Sequence, residues 1–165
     1  MSLPDLAAVL WRQRELIERL CYRLECEQLL LAAGRMNRIA FAVSEVETVV
    51  EDLQVLELQR GEAADRAAAE LGLPVGSGLS DLAAASQPPW TGVLLEHRAA
   101  LIALTAELHN LADANKSMIS SGMALVEAAM NSLGSLSPHH AVGYDATGHA
   151  DSVAGRLPAV IDRVL

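Results

Sequence analysis

Apolar residues recur every three or four positions through three long stretches of the chain. The longest of these patterns alternates the two spacings without a break through Trp90, Leu94, His97, Leu101, Leu104, Leu108, Leu111, Asn115, Met118, Gly122, Leu125 and Ala129. Such spacing is typical of an α-helix that packs along one side. A helix over 90–133 would be about 66 Å long at ~1.5 Å per residue. We therefore expect an elongated molecule in which the far end of this helix has few partners within its own chain.

Two earlier helices are predicted, over about 4–33 and 36–72. In the first, apolar residues repeat every seven positions at Leu3, Leu10, Ile17, Leu24 and Leu31. Gln13 and Glu27 interrupt the companion row, and Gly34 indicates a stop or a kink. The apolar row predicted for the second helix is Ile39, Val43, Val46, Val50, Leu53, Glu57, Arg60, Ala64, Ala67 and Leu71. The charged residues of that row, Glu57 and Arg60, predict a local ion pair or a choice of register or partner.

Helix-breaking residues separate these segments. Residues 73–89 are predicted to be a linker, with room for one helical turn at 80–83. Residues 135–165 are predicted to be a flexible tail, whose end carries Leu157, Val160, Ile161 and Val164 on one helical face and could form a small docking helix. The predicted fold is all-α: an elongated antiparallel helical bundle or coiled coil of three long helices over 1–134, with a flexible C-terminal tail.

Composition narrows the functional classes. The chain has a formal net charge of −9 and a pI near 4.9, which argues against nucleic acids and anionic membrane surfaces as partners. Aromatic residues make up only 3% of a chain that is 52% hydrophobic, which favours thin helix–helix seams. No segment approaches the ~20 apolar residues of a membrane span, and we see no secretory leader. Cys21 and Cys26 are too far apart around one helix to bridge, and free thiols fit a reducing cytosol.

Catalytic and cofactor motifs are not found. The sequence has no glycine-rich phosphate loop, nucleophile elbow or zinc-type cysteine spacing, so we predict no enzyme, no cofactor and no metal site. His139, His140 and His149 are interpreted as solvated residues of the tail. His97 is interpreted as a seam residue with its polar tip at the edge.

Asn115 and Gly122 are two unusual residues in the third helix. Asn115 either fixes the register of the seam or bonds the backbone of a bound partner. Gly122 costs about 1 kcal/mol of helix propensity relative to alanine. A close approach of another chain would offset that cost, and sequence drift would equally explain the residue.

Taken in order, these features resemble the FlgN-type flagellar export chaperones. The resemblance rests on two long helices, a linker, a helix with Asn115 near its middle and an apolar second half, and the tail motif Tyr144-Asp145-Ala146-Thr147-Gly148. It implies a cytoplasmic chaperone that binds the C-terminal helical region of the hook–filament junction proteins FlgK and FlgL and delivers them to the export gate protein FlhA. Cargo binding would then fall on Asn115, Met118, Ile119, Gly122, Leu125, Val126, Ala129 and Leu133. Docking to the export gate would fall on Tyr144, Asp145 and Gly148.

An alternative is a structural or regulatory coiled-coil protein that oligomerises through the same seams. A homodimer is compatible with either function. The mass of the protein in solution discriminates between them, because a stable tetramer with the third-helix seam already buried would favour the alternative.

Overall fold

The computed structural model describes residues 2–135, and side-chain exposure is defined for 2–132. The helices are α1 (Ser2–Ala32), α2 (Met36–Glu70), α3 (Leu79–Ala85) and α4 (Trp90–Ser135). The described range contains no strand, so the all-α prediction is confirmed. The chain divides into two units, of which the first ends at Ser120 and the second begins at Ser121. Between residues 2 and 135, no helix combines the length and apolar character that crossing a membrane requires.

Glycine in the left-handed conformation ends both α1 and α2. Gly34 has a φ of 64°, which side chains with a Cβ rarely adopt. The N–H of Arg35 donates to the carbonyl of Leu30 at 2.9 Å, as in a Schellman motif. Gly72 follows α2 with a φ of 70°. Gly34 is therefore a helix stop, one of the two alternatives that the sequence left open.

Polar contacts between helices show the relative directions of α1 and α2 in the first unit. The backbone N–H of Ser2 donates to Glu70 Oε2 at 3.2 Å, and Arg23 Nη1 donates to Glu45 Oε2 at 2.9 Å. The start of α1 thus lies beside the end of α2, and the two helices are antiparallel.

The part of α4 that belongs to the first unit, residues 90–120, runs parallel to α1. The ring of His97 contacts that of Trp11, with 5.0 Å between their centroids. Further along both helices, Asn115 Nδ2 donates to the carbonyl oxygen of Leu24 at 2.9 Å. Residue numbers rise together along the two helices, so α1 lies antiparallel to α2 and parallel to α4.

Two hydrophobic clusters form the interior of this unit. The first joins residues of all four helices and is rich in alanine: Leu6, Leu10, Ala63, Ala64, Ala67, Ala68, Leu82, Ala83 and Leu94. Its alanines allow close approach of helix backbones, and the short α3 contributes Leu82 and Ala83. The second cluster contains Ile17, Leu20, Cys21, Leu24, Val49, Leu53 and Leu108.

Polar side chains lie between the two clusters along α1 and α2. Gln13 is buried, and its Nε2 donates to Glu57 Oε2 at 2.9 Å. Arg60 Nε donates to the same oxygen at 2.9 Å, and a second guanidinium nitrogen pairs with Glu57 Oε1. The predicted Glu57–Arg60 ion pair is confirmed. The glutamine that interrupts the apolar row of α1 is therefore the partner of the charged pair that interrupts the row of α2.

The buried side of α2 differs from the predicted row. Leu53, Ala64 and Ala67 are buried as predicted, whereas Val43 and Val50 are only half-buried. A second row with seven-residue spacing is buried instead: Ala42, Val49, Leu56 and Ala63. Because α2 shares the clusters with both α1 and α4, it buries a wider stripe than a two-helix seam requires.

Candidate functional site

The part of α4 in the second unit has an uncovered apolar face. Every residue from Ser121 to Ser132 is exposed. The large apolar side chains in this range are between 64% and 72% exposed: Met123, Leu125, Val126 and Met130. Contiguous exposed apolar surface is unusual in a soluble monomer and marks interaction sites.

Helical geometry places these residues on one side of the helix. At ~100° per residue, the apolar residues occupy an arc of about 160°. This arc, which we call the α4 apolar face, consists of Gly122, Met123, Leu125, Val126, Ala129 and Met130. The opposite arc holds Ser121, Ala124, Glu127, Ala128, Asn131 and Ser132. The face is thus wide, apolar and free of charge, as a surface that accepts another amphipathic helix needs to be.

Gly122 lies in the middle of the α4 apolar face with open space around it. A Cβ built on this residue would meet no heavy atom within 4 Å. No close packing within the described residues therefore requires a glycine here.

Asn115 is in the interior of the first unit and is only 3% exposed. Its Nδ2 is bonded to Leu24 of α1, while its Oδ1 is buried without a hydrogen-bond partner. Of the two interpretations, this geometry favours the register-setting one, because the amide group already bonds the protein's own backbone. The two predicted site residues that follow it are partly exposed: Met118 is half-buried, and the side chain of Ile119 is 37% exposed.

The remaining predicted site residues lie at or beyond the end of the described chain. Leu133 is in the last turn of α4. Tyr144, Asp145 and Gly148 lie outside the described residues, as do His139, His140, His149 and the segment 157–165.

Comparison with known families identifies the family of this chain. The model of the FlgN family, described as FlgN protein, matches residues 1–152. The chain belongs to the FlgN family. That family comprises flagellar export chaperones, so the chain's role lies in protein export and flagellum biogenesis. The match includes Tyr144-Asp145 and Gly148 and ends before residue 157. Neither the curated proteins nor the solved structures include a match to this chain.

In this FlgN-family chain, the α4 apolar face includes two exposed methionines that the sequence pattern did not predict as site residues. Met123 and Met130 are seven residues apart at one edge of the arc. The signal that would have found them is the full width of the apolar arc on a helical wheel. The heptad spacing follows only the centre of that arc, which explains the omission.

His97 occupies the seam position that the spacing predicted and is only 2% exposed. Its Nδ1 is buried and has no hydrogen-bond partner. The ring meets Trp11 edge-on, and the guanidinium of Arg14 lies 4.3 Å from the centroid of the Trp11 ring. Burial, and secondly the positive charge of Arg14, lower the pKa of His97, so the imidazole is neutral at physiological pH.

Two kinds of reactive group were predicted from the sequence to be without a chemical role, namely metal-ligating clusters and the two cysteines. Within residues 2–135, no group of three His, Cys, Asp or Glu side chains could hold a metal ion. Cys21 and Cys26 are free thiols. Burial raises the pKa of Cys21 to about 11, which keeps the thiol protonated and unreactive. The feature that the described residues do present is the exposed α4 apolar face.

Proposed function

We propose that this FlgN-family protein binds the C-terminal helical region of the hook–filament junction proteins FlgK and FlgL in the cytoplasm and delivers them to the export gate protein FlhA. The observation that carries the proposal is the uncovered α4 apolar face in a chain of an export-chaperone family. The function requires no catalysis and no cofactor, and it involves neither nucleic acid nor insertion into a membrane.

A cargo helix suits this face for a physical reason. An amphipathic helix buries its apolar side only when it finds a complementary apolar surface. Covering the four large exposed side chains would contribute roughly 1.5–3 kcal/mol each. Association itself costs at least ~4 kcal/mol, and ordering the cargo segment adds to that cost. The balance for these four side chains, at most about 8 kcal/mol, corresponds to dissociation constants of about 1 μM or weaker, and further contacts would be needed for tighter binding.

The proposed cargo surface extends the α4 apolar face at both ends. Met118 and Ile119 precede the face, and Leu133 follows it. Between them lie the residues of the face itself: Gly122, Met123, Leu125, Val126, Ala129 and Met130. Asn115 belongs to this proposal as the residue that fixes the register of α4 on α1.

The cargo surface is tested with a matched pair of variants. Leu125→Asp puts a charge in the middle of the face, whereas Ala128→Asp puts the same charge on the opposite arc. Both positions are exposed, so both variants should keep the helicity and melting temperature of the wild type. Losing a buried leucine and burying a carboxylate should together cost about 2–4 kcal/mol of binding, a roughly 30- to 1000-fold loss.

Calorimetric titration with the C-terminal helical region of FlgK measures that loss. Equal affinities for the two variants would rule out the α4 apolar face as the cargo site. Unfolding of Leu125→Asp would mean that Leu125 is an ordinary core residue.

We further propose that Tyr144, with Asp145 and Gly148, docks the chaperone to the export gate. A tyrosine offers a large apolar face and a hydroxyl at low entropic cost. Tyr144→Ala should weaken binding to FlhA and reduce secretion of the junction proteins, while melting temperature and cargo affinity stay unchanged. Tyr144→Phe separates the contribution of the hydroxyl from that of the ring. Wild-type gate binding by Tyr144→Ala would exclude this role.

We also propose the arrangement that this function needs: an elongated antiparallel bundle of three long helices over 1–134, followed by a flexible tail over 135–165. The contacts within the first unit, where α1 is antiparallel to α2 and parallel to α4, support it. Small-angle scattering from the full chain tests this arrangement, and a profile typical of a compact sphere would contradict it.

The alternative, an oligomeric coiled-coil protein, would use the same α4 apolar face between copies of the chain. A stable oligomer that Leu125→Asp dissociates and Ala128→Asp does not would support that function. A homodimer that leaves the face free for cargo would be unaffected by either variant. Light scattering over a range of concentrations distinguishes these outcomes.

A further inference from the structure

A groove runs between α1 and α2 on the side of this helix pair that faces away from α4. Three residues of each helix line its middle, and we call it the α1–α2 groove: Arg12, Leu16 and Arg19 of α1 with Asp52, Val55 and Gln59 of α2. Arg14, which pairs with Glu96 of α4 at 3.6 Å, lies about 160° around α1 from Arg12. All the groove residues except the half-buried Leu16 are exposed, so the groove is uncovered within residues 2–132.

Apolar side chains lie at two heights along the α1–α2 groove. In its middle, Val55 is 59% exposed beside Leu16. Nearer the turn between the helices, Phe41 is 69% exposed and lies one helical turn from Glu45, which accepts a hydrogen bond from Arg23 of α1. Phe41 and Val55 are fourteen residues apart on α2, a distance of about 21 Å. Exposed apolar surface of this kind marks an interaction site.

The charged residues of the groove have no ion-pair partner. The ion pairs of the described residues involve other side chains, so Arg12, Arg19 and Asp52 are unpaired there. Glu15 lies between the two arginines and leaves the α1 side of the groove basic. The α2 side carries Asp52 and is acidic. The two sides of the groove are therefore complementary in charge.

Hydrogen bonds between α1 and α2 define which residues of the two helices lie at the same height. They join three pairs of residues: Ser2 with Glu70, Gln13 with Glu57, and Arg23 with Glu45. Counting along both helices from these pairs places three further pairs of exposed residues within about 3 Å of the same height: Asp5 and Arg66, Arg12 and Gln59, and Arg19 and Asp52. Wherever one of these residues is charged, the residue at its height is oppositely charged or an amide.

We propose that the α1–α2 groove is the interface of a homodimer. A two-fold axis parallel to the helices would lay α1 of each copy against α2 of the other, and rotation about such an axis moves no residue along it. Arg19 of each copy would then face Asp52 of the other, and the apolar side chains would meet at the same two heights. One patch thus serves both copies, as an isologous interface requires. The four helices would form an antiparallel four-helix bundle.

The size of the groove suits a dimer. From Asp5 to Leu30, α1 is about 38 Å long at ~1.5 Å per residue. Two helices side by side are about 18 Å wide at an interaxial distance of ~9 Å. Two such faces bury roughly 1,400 Å², which is within the range of about 1,200–2,000 Å² for specific, stable interfaces. Interfaces of this size have micromolar or lower dissociation constants, so the dimer should predominate at about 100 μM.

A matched pair of variants tests the position of the interface. Phe41→Asp puts a charge among the apolar side chains of the groove, and it should raise the dissociation constant of the dimer about 100-fold or more, because a symmetric interface loses the contact twice. Met36→Asp is the control, since Met36 is 66% exposed on the same helix but lies about 140° away around it. Sedimentation velocity should find the control and the wild type at twice the 17.5 kDa mass of the chain.

Exchange of charges identifies the occupant as a second copy. Arg19→Glu and Asp52→Arg should each weaken the dimer about 10- to 100-fold, because each variant places like charges face to face twice. An equimolar mixture of the two variants should dimerise as the wild type does. In the mixed dimer each introduced charge faces its opposite, and the unchanged Arg19 of one chain faces the unchanged Asp52 of the other. This rescue requires folded variants, which circular dichroism checks, and it does not depend on the folding of Phe41→Asp.

Three results would overturn the proposal. A wild-type chain that is monomeric at about 100 μM would exclude a second copy as the occupant of the groove. A dimer that Leu125→Asp dissociates and Phe41→Asp does not would mean that the copies meet through the α4 apolar face. Charge variants that remain monomeric on mixing would exclude the pairing of Arg19 with Asp52. The interface uses residues of the first unit alone and does not rest on the proposed function, so the homodimer and the cargo site fail separately.

Discussion

Replacing Asn115 by leucine should stabilise the protein. The two side chains have the same number and branching of heavy atoms, so the introduced leucine would occupy nearly the same space. The variant removes a buried Oδ1 that has no partner, which returns about 1–3 kcal/mol. It loses the 2.9 Å bond to Leu24, a net contribution of about 0.5–1.5 kcal/mol. Leu24 lies inside α1, where its carbonyl keeps the helical partner four residues on.

The remaining contributions to the free energy of unfolding nearly cancel. Leucine gains apolar burial of up to about 1.5–3 kcal/mol, but its larger methyl groups crowd the site at a cost of about 1–3 kcal/mol. We therefore expect Asn115→Leu to be more stable by about 1 kcal/mol. Urea unfolding followed by circular dichroism measures this change, which should appear in thermal unfolding as a rise of about 2–4 °C.

Asn115→Asp is the matched control, because it keeps the size of the side chain and replaces the donor by an acceptor. The new carboxylate would face the Leu24 carbonyl, so we expect a loss of about 3 kcal/mol or more at neutral pH. Burial will raise the pKa of this carboxyl above its unfolded value of about 3.9. Its folded form then binds the proton more tightly, so the variant's stability should fall as the pH rises above about 4.

Two results would refute this reasoning. Destabilisation of Asn115→Leu by more than about 1 kcal/mol would mean that the Leu24 bond outweighs the unpartnered oxygen. A flat pH profile for Asn115→Asp would mean that the position is solvated.

If Asn115 also sets register, light scattering should detect additional oligomers in the leucine variant.

Three further predictions concern single residues elsewhere. Burial and Arg14 lower the pKa of His97, so stability should decline as the pH falls below about 6.5, and His97→Phe should flatten this part of the profile. Burial raises the pKa of Glu27; stability should therefore fall as the pH rises above about 4.3, and chemical unfolding should find Glu27→Gln more stable at pH 7. Gly122→Ala and the control Gly61→Ala, both with open space for a Cβ, should each raise stability by about 0.5–1 kcal/mol. Only Gly122→Ala should weaken cargo binding, and equal affinities would exclude close cargo approach at Gly122.

Periodicity along the chain determined the helical character and the residues where it breaks. The spacing from Trp90 onward indicated a long helix, and Gly34 indicated a break, because only glycine readily adopts the left-handed conformation that closes a helix end. The sequence also singled out Asn115 and the Glu57–Arg60 pair, since a polar residue at an apolar position conflicts with a strict local rule.

Tertiary structure alone decided which faces are covered. Periodicity defines a direction around one helix axis, but burial depends on partners far away in the chain. For this reason the spacing along α2 did not predict the buried row of Ala42 and Val49, which exists because α2 packs against both α1 and α4. The same dependence explains His97, whose imidazole is enclosed beside Trp11 from α1. It also explains why Leu125 is exposed although it continues the spacing of Leu108, which is buried: covering a seam position requires another helix beside it.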